Sequence, residues 1–298
     1  MEKSKELKIS IIIPTLNRYD CIINLLHDIH NQECPVHEVI VSDQSRERRS
    51  IDILDFNFVL KHINHPGTGP CCSRNDAAQL ASGDIFVFLD DDVRIDKDFI
   101  MEIISPIVSK KTSVGTGAIC DKEGNYTREL KNYDIFTHKR HWLISFTKNP
   151  NHFNSQFSYA TPSGCLAIEK KIFLELGGFD TFFDPNGACE DREFAVRLVK
   201  KGVGIYYNSK AKLMHLSEPV GGRRSPKNSD TPLSFKKNFS YLLLKHFGAS
   251  EFSRYKNYEI KVMVRKILSL DNSYSNLVNL VNFLKSIKRL KKLNFKRD

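Results

Sequence analysis

The sequence predicts an α/β fold, with a doubly wound, mostly parallel sheet followed by a helical extension. Short apolar runs rich in Ile, Val and Phe alternate with stretches whose apolar residues recur at helical spacing. This alternation is typical of βαβ units. From residue 234 onward only helical patterns remain. We therefore expect an α/β domain over 1–233, with halves of about 7–119 and 120–233, and a helical basic extension over 234–298.

The first half of the predicted domain alternates regularly between strands and helices. A strand covered on both faces reads as a continuous apolar run, and an amphipathic helix places apolar residues three and four positions apart. By these criteria, strands are expected at 8–13, 37–42, 57–62, 84–89 and 113–119. Helices are expected at 20–30, 71–81 and 98–110.

The second half is less regular. Residues 120–158 show no periodicity, and long stretches of this kind are often binding loops or lids. Beyond them, the pattern predicts strands at 164–168 and 203–207, helices at 170–176 and 188–201, and a mobile loop at 220–232. The shorter helix ends at Gly177-Gly178, a common stop signal.

Composition narrows the class of protein. The 298 residues include seven cysteines at irregular spacing, which indicates neither a disulfide framework nor a zinc site. The N-terminal apolar run 9–13 is too short for a signal peptide, and no run is long enough to span a bilayer. We expect a cytoplasmic protein, or a peripheral one on the inner face of the cell membrane. The net charge of +10 suits nucleoside diphosphates, nucleic acid or anionic lipid.

Three consecutive aspartates, Asp90, Asp91 and Asp92, follow the predicted strand 84–89. Their mutual repulsion contributes nothing to folding, whereas a hard divalent cation such as Mg²⁺ or Mn²⁺ would relieve it. The carboxyl ends of strands in an open α/β sheet are also where ligands bind. The alternative is an acidic turn in which Asp92 or Asp96 caps the next helix.

Other polar residues follow other predicted strands, and five segments occur in a recognisable order. The segments are SIIIPTLNR, VIVSDQS, FLDDDV, GGFD and EDREFAVRL. This order resembles the family 2 (GT2) inverting glycosyltransferases, which have the GT-A fold. The resemblance covers roughly residues 7–220. It implies a nucleotide-sugar-binding first half, an acceptor-binding second half and a divalent metal, Mn²⁺ or Mg²⁺.

The resemblance also implies roles for individual residues. Thr15 and Asp43 would hold the base, and Asp43 could accept a hydrogen bond from the imide N–H of a UDP- or dTDP-sugar. Asp92 would be the direct metal ligand, although the sequence alone does not decide among the three aspartates. The remaining predicted donor-site residues are Pro14, Asn17, Arg74, Asp90 and Asp91 for the nucleotide, and Asp90 and His215 for the metal. The alternatives are a capping role for Asp43, a surface charge for Arg74 and a structural role for His215.

The acidic pair Glu190-Asp191 provides the predicted catalytic base. In the resembling enzymes the second acid of this motif takes the proton of the acceptor hydroxyl, so we expect Asp191 in this role, with Glu190 as its rival. A carboxylate is adequate because the proton moves late, as the attacking oxygen becomes acidic. The alternative is that both acids only complement the dipole at a helix N-terminus.

Four further residues are candidates for sugar or phosphate contacts. Gly164 would let a sugar approach the backbone closely. Trp142 could stack on a sugar face or pack in a core. Arg223 and Arg224 could close over a diphosphate, or form a solvated basic loop.

The C-terminal segment 277–293 places apolar residues at helical spacing among lysines. Such a helix could lie on an anionic membrane surface, which suits a saccharide or lipid-linked saccharide acceptor. Alternatively, it packs its apolar stripe on the catalytic domain.

Two other classes of protein compete with the predicted transferase. A sugar nucleotidyltransferase shares such a sheet but usually carries a Gly-rich loop after the first strand, and PTLNR contains no glycine. A non-catalytic basic protein that binds nucleic acid or membrane leaves the acidic motifs unexplained. We therefore expect a glycosyltransferase that does not bind nucleic acid. By analogy with the family, its product is a bacterial surface polysaccharide or glycolipid.

Overall fold

The computed structural model describes residues 7–47, 49–51, 55–65, 69–126, 154–159, 161–185, 187–222, 231–269 and 273–290. These residues belong to two compact units. The described part of the first unit lies within 7–222 and is an α/β structure. The described part of the second lies within 231–290 and is helical.

Strands and helices alternate through most of the α/β unit, as predicted. Its strands are β1 (Ile9–Thr15), β2 (Glu38–Asp43), β3 (Val59–Asn64), β4 (Ile85–Leu89), β5 (Val93–Ile95), β6 (Val114–Cys120), β7 (Gln156–Ser158), β8 (Cys165–Glu169) and β9 (Ile205–His215). Its helices are α1 (Tyr19–His30), α2 (Pro70–Leu80), α3 (Phe99–Val108), α4 (Lys170–Glu175) and α5 (Glu190–Lys200).

All nine strands of the described residues join one sheet in the order β3-β2-β1-β4-β8-β6-β9-β5, with β7 also paired to β9. The four strands from β3 to β4 are parallel, and β8 is antiparallel to both β4 and β6. Strands β1, β2 and β4 are almost fully buried because helices cover the parallel sheet. The predicted α/β fold class is confirmed.

The ends of β1, β2 and β4 bring the predicted donor-site segments to one edge of the sheet. In the register of the strands, Thr15 is opposite Asp43, and β4 lies on the other side of β1. Asp90, Asp91 and Asp92 follow β4 directly. Parallel pairing thus gathers polar residues that are far apart in the chain.

The sequence pattern missed β5 and β7 and shortened β9. β5 has only three residues, too few for a recognisable pattern, and it exists because it pairs antiparallel with the end of β9. β9 continues past its apolar start through Asn208-Ser209-Lys210, where its register against β6 shifts. A polar irregularity of this kind hides the continuation of a strand from periodicity.

The helical unit contains α6 (Thr231–Leu268) and α7 (Ser273–Leu290). α6 is broken at Gly248, where a φ of 84° suits glycine. α7 packs against α6 and buries Phe283, Ile287 and Leu290, which lie on one helix face. A second apolar face of α7 is exposed and comprises Leu277, Val278, Val281 and Leu284. Within the described residues, every helix is too short or too polar to cross a bilayer.

Candidate active site

The carboxylates that follow β4 are held by Arg18, a residue for which the sequence pattern predicted no role. Asp91 and Asp92 are nearly buried, and the Arg18 Nη1 atom lies 2.8 Å from Asp91 Oδ1 and 3.1 Å from Asp92 Oδ2. The Thr15 hydroxyl donates to the other oxygen of Asp91 at 2.8 Å. Burial raises the pKa of Asp91 to about 6, although the charge of Arg18 acts in the opposite direction. Arg18 therefore compensates a repulsion that the sequence assigned to a metal alone.

Arg18 also ties this cluster to the segment that follows β9. Its Nη2 and Nε atoms donate to the carbonyl oxygens of Glu218 and Val220 at 2.9 and 3.0 Å. A Cβ atom on Gly222 would lie 2.6 Å from Arg18 Cζ, and the φ of 54° at this position also favours glycine. Arg18 is the last residue of the motif SIIIPTLNR, so its place near the end of β1 could be inferred from the sequence. Nothing in the sequence, however, indicated that 218–222 returns to the first strand.

The pairing of β5 with β9 brings His215 to the aspartates. Val93 is opposite His215 in the register, and His215 Nε2 lies 3.5 Å from Asp92 Oδ1. The backbone N–H of Glu218 donates to Asp92 Oδ2 at 3.1 Å. The structure thus brings together two of the predicted metal ligands.

Asp92 and His215 have the kinds of donor atom that bind divalent cations. Within the residues described here, no group of three or more His, Cys, Asp or Glu side chains is arranged as a metal cage. A carboxylate oxygen beside an imidazole nitrogen nevertheless suits a divalent cation such as Mn²⁺. Asp92 and His215 therefore fit part of the ligand set of such an ion.

Arg74 lies near the N-terminus of α2, and a cap on this helix end holds it in position. The Asp184 carboxylate accepts hydrogen bonds from the backbone N–H groups of Cys71 and Cys72, at 3.0 and 2.9 Å, and so caps this helix from a distant loop. Gly69 precedes the helix, and a Cβ atom added at this position would collide with Asp184. The cap fixes the helix that carries Arg74.

The Arg74 guanidinium is buried and only partly paired. Its Nη2 atom donates to Asp90 Oδ1 at 2.5 Å, and its Nη1 atom lies 3.8 Å from Glu190 Oε1. Its Nε and Nη1 atoms have no hydrogen-bond partner among the described residues. A buried N–H without a partner is costly, so these two donors favour a bound acceptor.

Glu190 and Asp191 begin α5, as the sequence predicted. Glu190 is buried and accepts a hydrogen bond from the Ser163 hydroxyl at 2.9 Å, whereas Asp191 is partly exposed and accepts from the Arg192 N–H at 2.7 Å. Burial raises the pKa of Glu190, and the charge of Asp191 raises it further, while Arg74 lowers it. Burial also raises the pKa of Asp191.

Gly164 lies beside Asp90. A Cβ atom at this position would lie 2.2 Å from Asp90 Oδ2, so the Asp90 carboxylate approaches the backbone closely here. The close approach of a sugar to Gly164 stays a prediction.

Asp43 lies at the end of β2 and is fully buried. The next residue, Gln44, reaches the surface of the site. One cavity of about 200 Å³ collects most of the predicted residues, and its lining includes Pro14, Thr15, Arg18, Gln44, Arg74, Asp90, Asp91, Asp92, Glu190 and His215. Asn17 lines a neighbouring cavity of about 880 Å³, together with Arg18 and Gln44. Trp142, Arg223 and Arg224 lie outside the described residues.

Comparison with known proteins identifies this arrangement. The family model described as glycosyl transferase family 2 matches residues 10–177. The glucosyl-dolichyl phosphate glucuronosyltransferase of Haloferax volcanii is 23% identical over 220 residues, which is 70% of this chain and 69% of that protein. The GalNAc(5)-diNAcBac-PP-undecaprenol β-1,3-glucosyltransferase of Campylobacter jejuni is 27% identical over 129 residues, which is 41% of this chain and 42% of that protein.

Two solved structures share the fold. S. aureus TarS (residues 1–349) in complex with UDP-GlcNAc is 17% identical with a TM-score of 0.58, covering 95% of this chain and 83% of that chain. GalNAc-T7 with UDP, GalNAc and Mn²⁺ is 18% identical with a TM-score of 0.59, covering 82% and 48%. These likenesses confirm the GT-A fold. Because the family model matches more than half of the chain, the protein belongs to glycosyl transferase family 2 and is a glycosyltransferase.

Proposed function

We propose that this glycosyltransferase is metal-dependent and moves a sugar, with inversion, from a nucleoside diphosphate sugar to an acceptor hydroxyl. One observation carries the donor assignment. Arg74 lines the cavity, and its buried Nε and Nη1 atoms have no hydrogen-bond partner among the described residues. A phosphate oxygen is an acceptor that a guanidinium binds well.

The residues around the cavity have different proposed roles. Asp92 and His215 would hold Mn²⁺ or Mg²⁺, and Asp90 and Asp91 would face the nucleoside and the ion. The ion, when bound, would supply positive charge to the departing diphosphate. Arg18 holds Asp91 and Asp92 in place, because its guanidinium contacts both carboxylates.

Asp191 is the proposed base for the acceptor hydroxyl. It is more exposed than Glu190, and the Ser163 hydroxyl and Arg74 hold Glu190 in place. Asp191 would take the proton as the acceptor oxygen attacks the anomeric carbon from the side opposite the diphosphate. Attack from that side inverts the configuration.

A lipid-linked saccharide is the proposed acceptor. The names of the Haloferax and Campylobacter relatives specify dolichyl phosphate and undecaprenol acceptors. In α7, an exposed apolar face that includes Leu277 and Leu284 lies beside exposed Lys285 and Lys288. This combination suits a helix lying on an anionic membrane. The place of the protein would then be the membrane surface where such an acceptor resides, on the cytoplasmic side, and its product a surface polysaccharide or glycolipid.

Thermal unfolding with UDP, dTDP and their sugars, with and without Mn²⁺, tests the donor and the metal. A ligand that binds the native state raises the melting temperature according to its affinity. We expect a Mn²⁺-dependent rise for the wild type that Asp92→Ala abolishes. If no nucleotide changed the melting temperature of the wild type, the donor assignment would be wrong.

Sedimentation with phosphatidylglycerol vesicles tests the membrane surface. The double variant Leu277→Gln/Leu284→Gln should bind vesicles several-fold more weakly at an unchanged melting temperature, because both side chains are exposed, at 48% and 44%. Undiminished vesicle binding together with a lowered melting temperature would instead assign this face to packing.

A further inference from the structure

The sequence assigns recognition of the base to Asp43, but the contacts of this carboxylate are internal. Its Oδ1 atom accepts from the Ser45 N–H at 2.8 Å, and its Oδ2 atom accepts from the Tyr19 hydroxyl at 2.5 Å. His62 Nε2 lies 3.1 Å from the same Oδ2 atom. Burial raises the pKa of Asp43, but these hydrogen bonds outweigh it and lower the pKa to about 2. With 0% exposure, Asp43 joins β2, β3 and α1 and does not reach the cavity.

Gln44 lies beside it on the cavity wall, and its amide group is held in one orientation. The Nε2 atom donates to the Gly69 carbonyl oxygen at 2.7 Å. A carbonyl oxygen can only accept, so the amide nitrogen must face Gly69 and the amide oxygen must face away. No donor within the described part of the chain hydrogen-bonds to the Gln44 Oε1 atom. That oxygen is available to a ligand.

His65 and Asp76 support the same orientation. His65 Nε2 lies 2.7 Å from Asp76 Oδ2, and a carboxylate can only accept, so this ring nitrogen carries a proton. The other ring nitrogen, Nδ1, lies 3.4 Å from Gln44 Nε2 and can accept its second hydrogen. Both hydrogens of the Gln44 amide are then directed at protein acceptors, which leaves the oxygen as the amide atom that can bind a ligand in the cavity lined by Gln44.

We propose that Gln44, oriented by Gly69 and by the His65–Asp76 pair, reads the base of the donor through its Oε1 atom. A fixed acceptor selects a base that offers a ring N–H at the matching edge, as uracil and thymine do at N3. Cytosine presents an acceptor at N3, so two acceptors would face each other. This inference rests on the proposed nucleotide-sugar donor and favours a base with a ring N–H, such as uracil or thymine, over cytosine.

Calorimetric titration of UDP, dTDP and CDP in the presence of Mn²⁺ tests the assignment. One hydrogen bond corresponds to roughly a tenfold change in affinity. We expect the wild type to bind UDP or dTDP at least about tenfold more tightly than CDP, and Gln44→Leu to reduce this ratio to about twofold or less. Asp76→Ala, at a side chain that is 65% exposed, should reduce the ratio by a few-fold without loss of folding.

Asp43→Asn is the matched control. It is isosteric and should lower the melting temperature but keep the ratio of UDP to CDP affinity. A ratio preserved in Gln44→Leu, or lost only in Asp43→Asn, would overturn the assignment while leaving the nucleotide-sugar donor intact. If every nucleotide failed to bind the wild type, the proposed function itself would be contradicted, and this assignment with it.

Discussion

The cavity has two acidic regions that balance their charge differently. Asp91 and Asp92 share one guanidinium, that of Arg18, and accept further hydrogen bonds from Thr15 and from a backbone N–H. Glu190 has one hydroxyl donor and a guanidinium 3.8 Å away. In the first region a guanidinium contacts both carboxylates, and its charge opposes the rise in the pKa of Asp91 that burial causes. The second raises the pKa of its carboxylates by burial, and a raised pKa suits a group that gains and loses a proton.

The largest expected effect comes from removing the proposed proton acceptor in the second region. Asp191→Asn should lower kcat by about 10³-fold, because general-base catalysis contributes roughly 10²- to 10⁴-fold. Binding of the nucleotide should remain, since Asp191 does not line the donor cavity. Single-turnover transfer and calorimetry with UDP provide the two measurements.

Glu190→Gln serves as the control for this variant. Glutamine keeps an acceptor for the Ser163 hydroxyl, so we expect a loss of kcat at least tenfold smaller than that of Asp191→Asn. The reverse order would assign the base to Glu190. Near-normal turnover in both variants would mean that neither acid accepts the proton.

The second test removes the fixed charge of the aspartate region. Arg18→Gln leaves two nearly buried carboxylates without their cation and should cost about 3 kcal/mol of unfolding free energy. Mn²⁺ together with UDP should stabilise this variant more than the wild type, because the ion supplies the lost charge. Chemical denaturation with and without these ligands measures both effects.

Arg94→Gln is a matched arginine substitution in an exposed pair with Asp28. Arg94 is 47% exposed, so the loss should be about 0.5 kcal/mol. Equal losses in Arg18→Gln and Arg94→Gln would show that the buried ion pair does not stabilise the aspartate region.

The smallest expected effect is a shift in the pH profile that Glu190 and Asp191 control. Glu190 and Asp191 titrate as a pair, and the base must be deprotonated to act, so kcat/KM falls as pH falls through the pKa of the pair. Arg74 lowers this pKa, so Arg74→Gln should move the acid limb of the pH profile up by about one unit. Glu190→Gln removes a neighbouring negative charge and should move the limb down. Shifts in the same direction would contradict the proposed electrostatics.

The sequence alone determined the fold class and the place of the site. Continuous apolar runs such as that of β4 specify buried strands, and the motifs at their ends meet at one edge because parallel strands share a direction. Asp90 and Asp92 follow β4 and line the cavity for this reason. The order of five motifs sufficed for the family, which the family model confirmed.

Tertiary structure alone decided which partners these residues have. Arg18 meets Asp91 across 73 positions, and it meets Val220 across 202, distances over which periodicity carries no information. The three-residue strand β5 exists only through its pairing with β9, which is what brings His215 to Asp92. Adjacent residues in the chain also acquired different environments, since β2 ends with Asp43 inside and Gln44 at the cavity. The sequence pattern predicts a strand and the residues at its end. The burial and the hydrogen-bond partners of those residues arise when distant segments pack together.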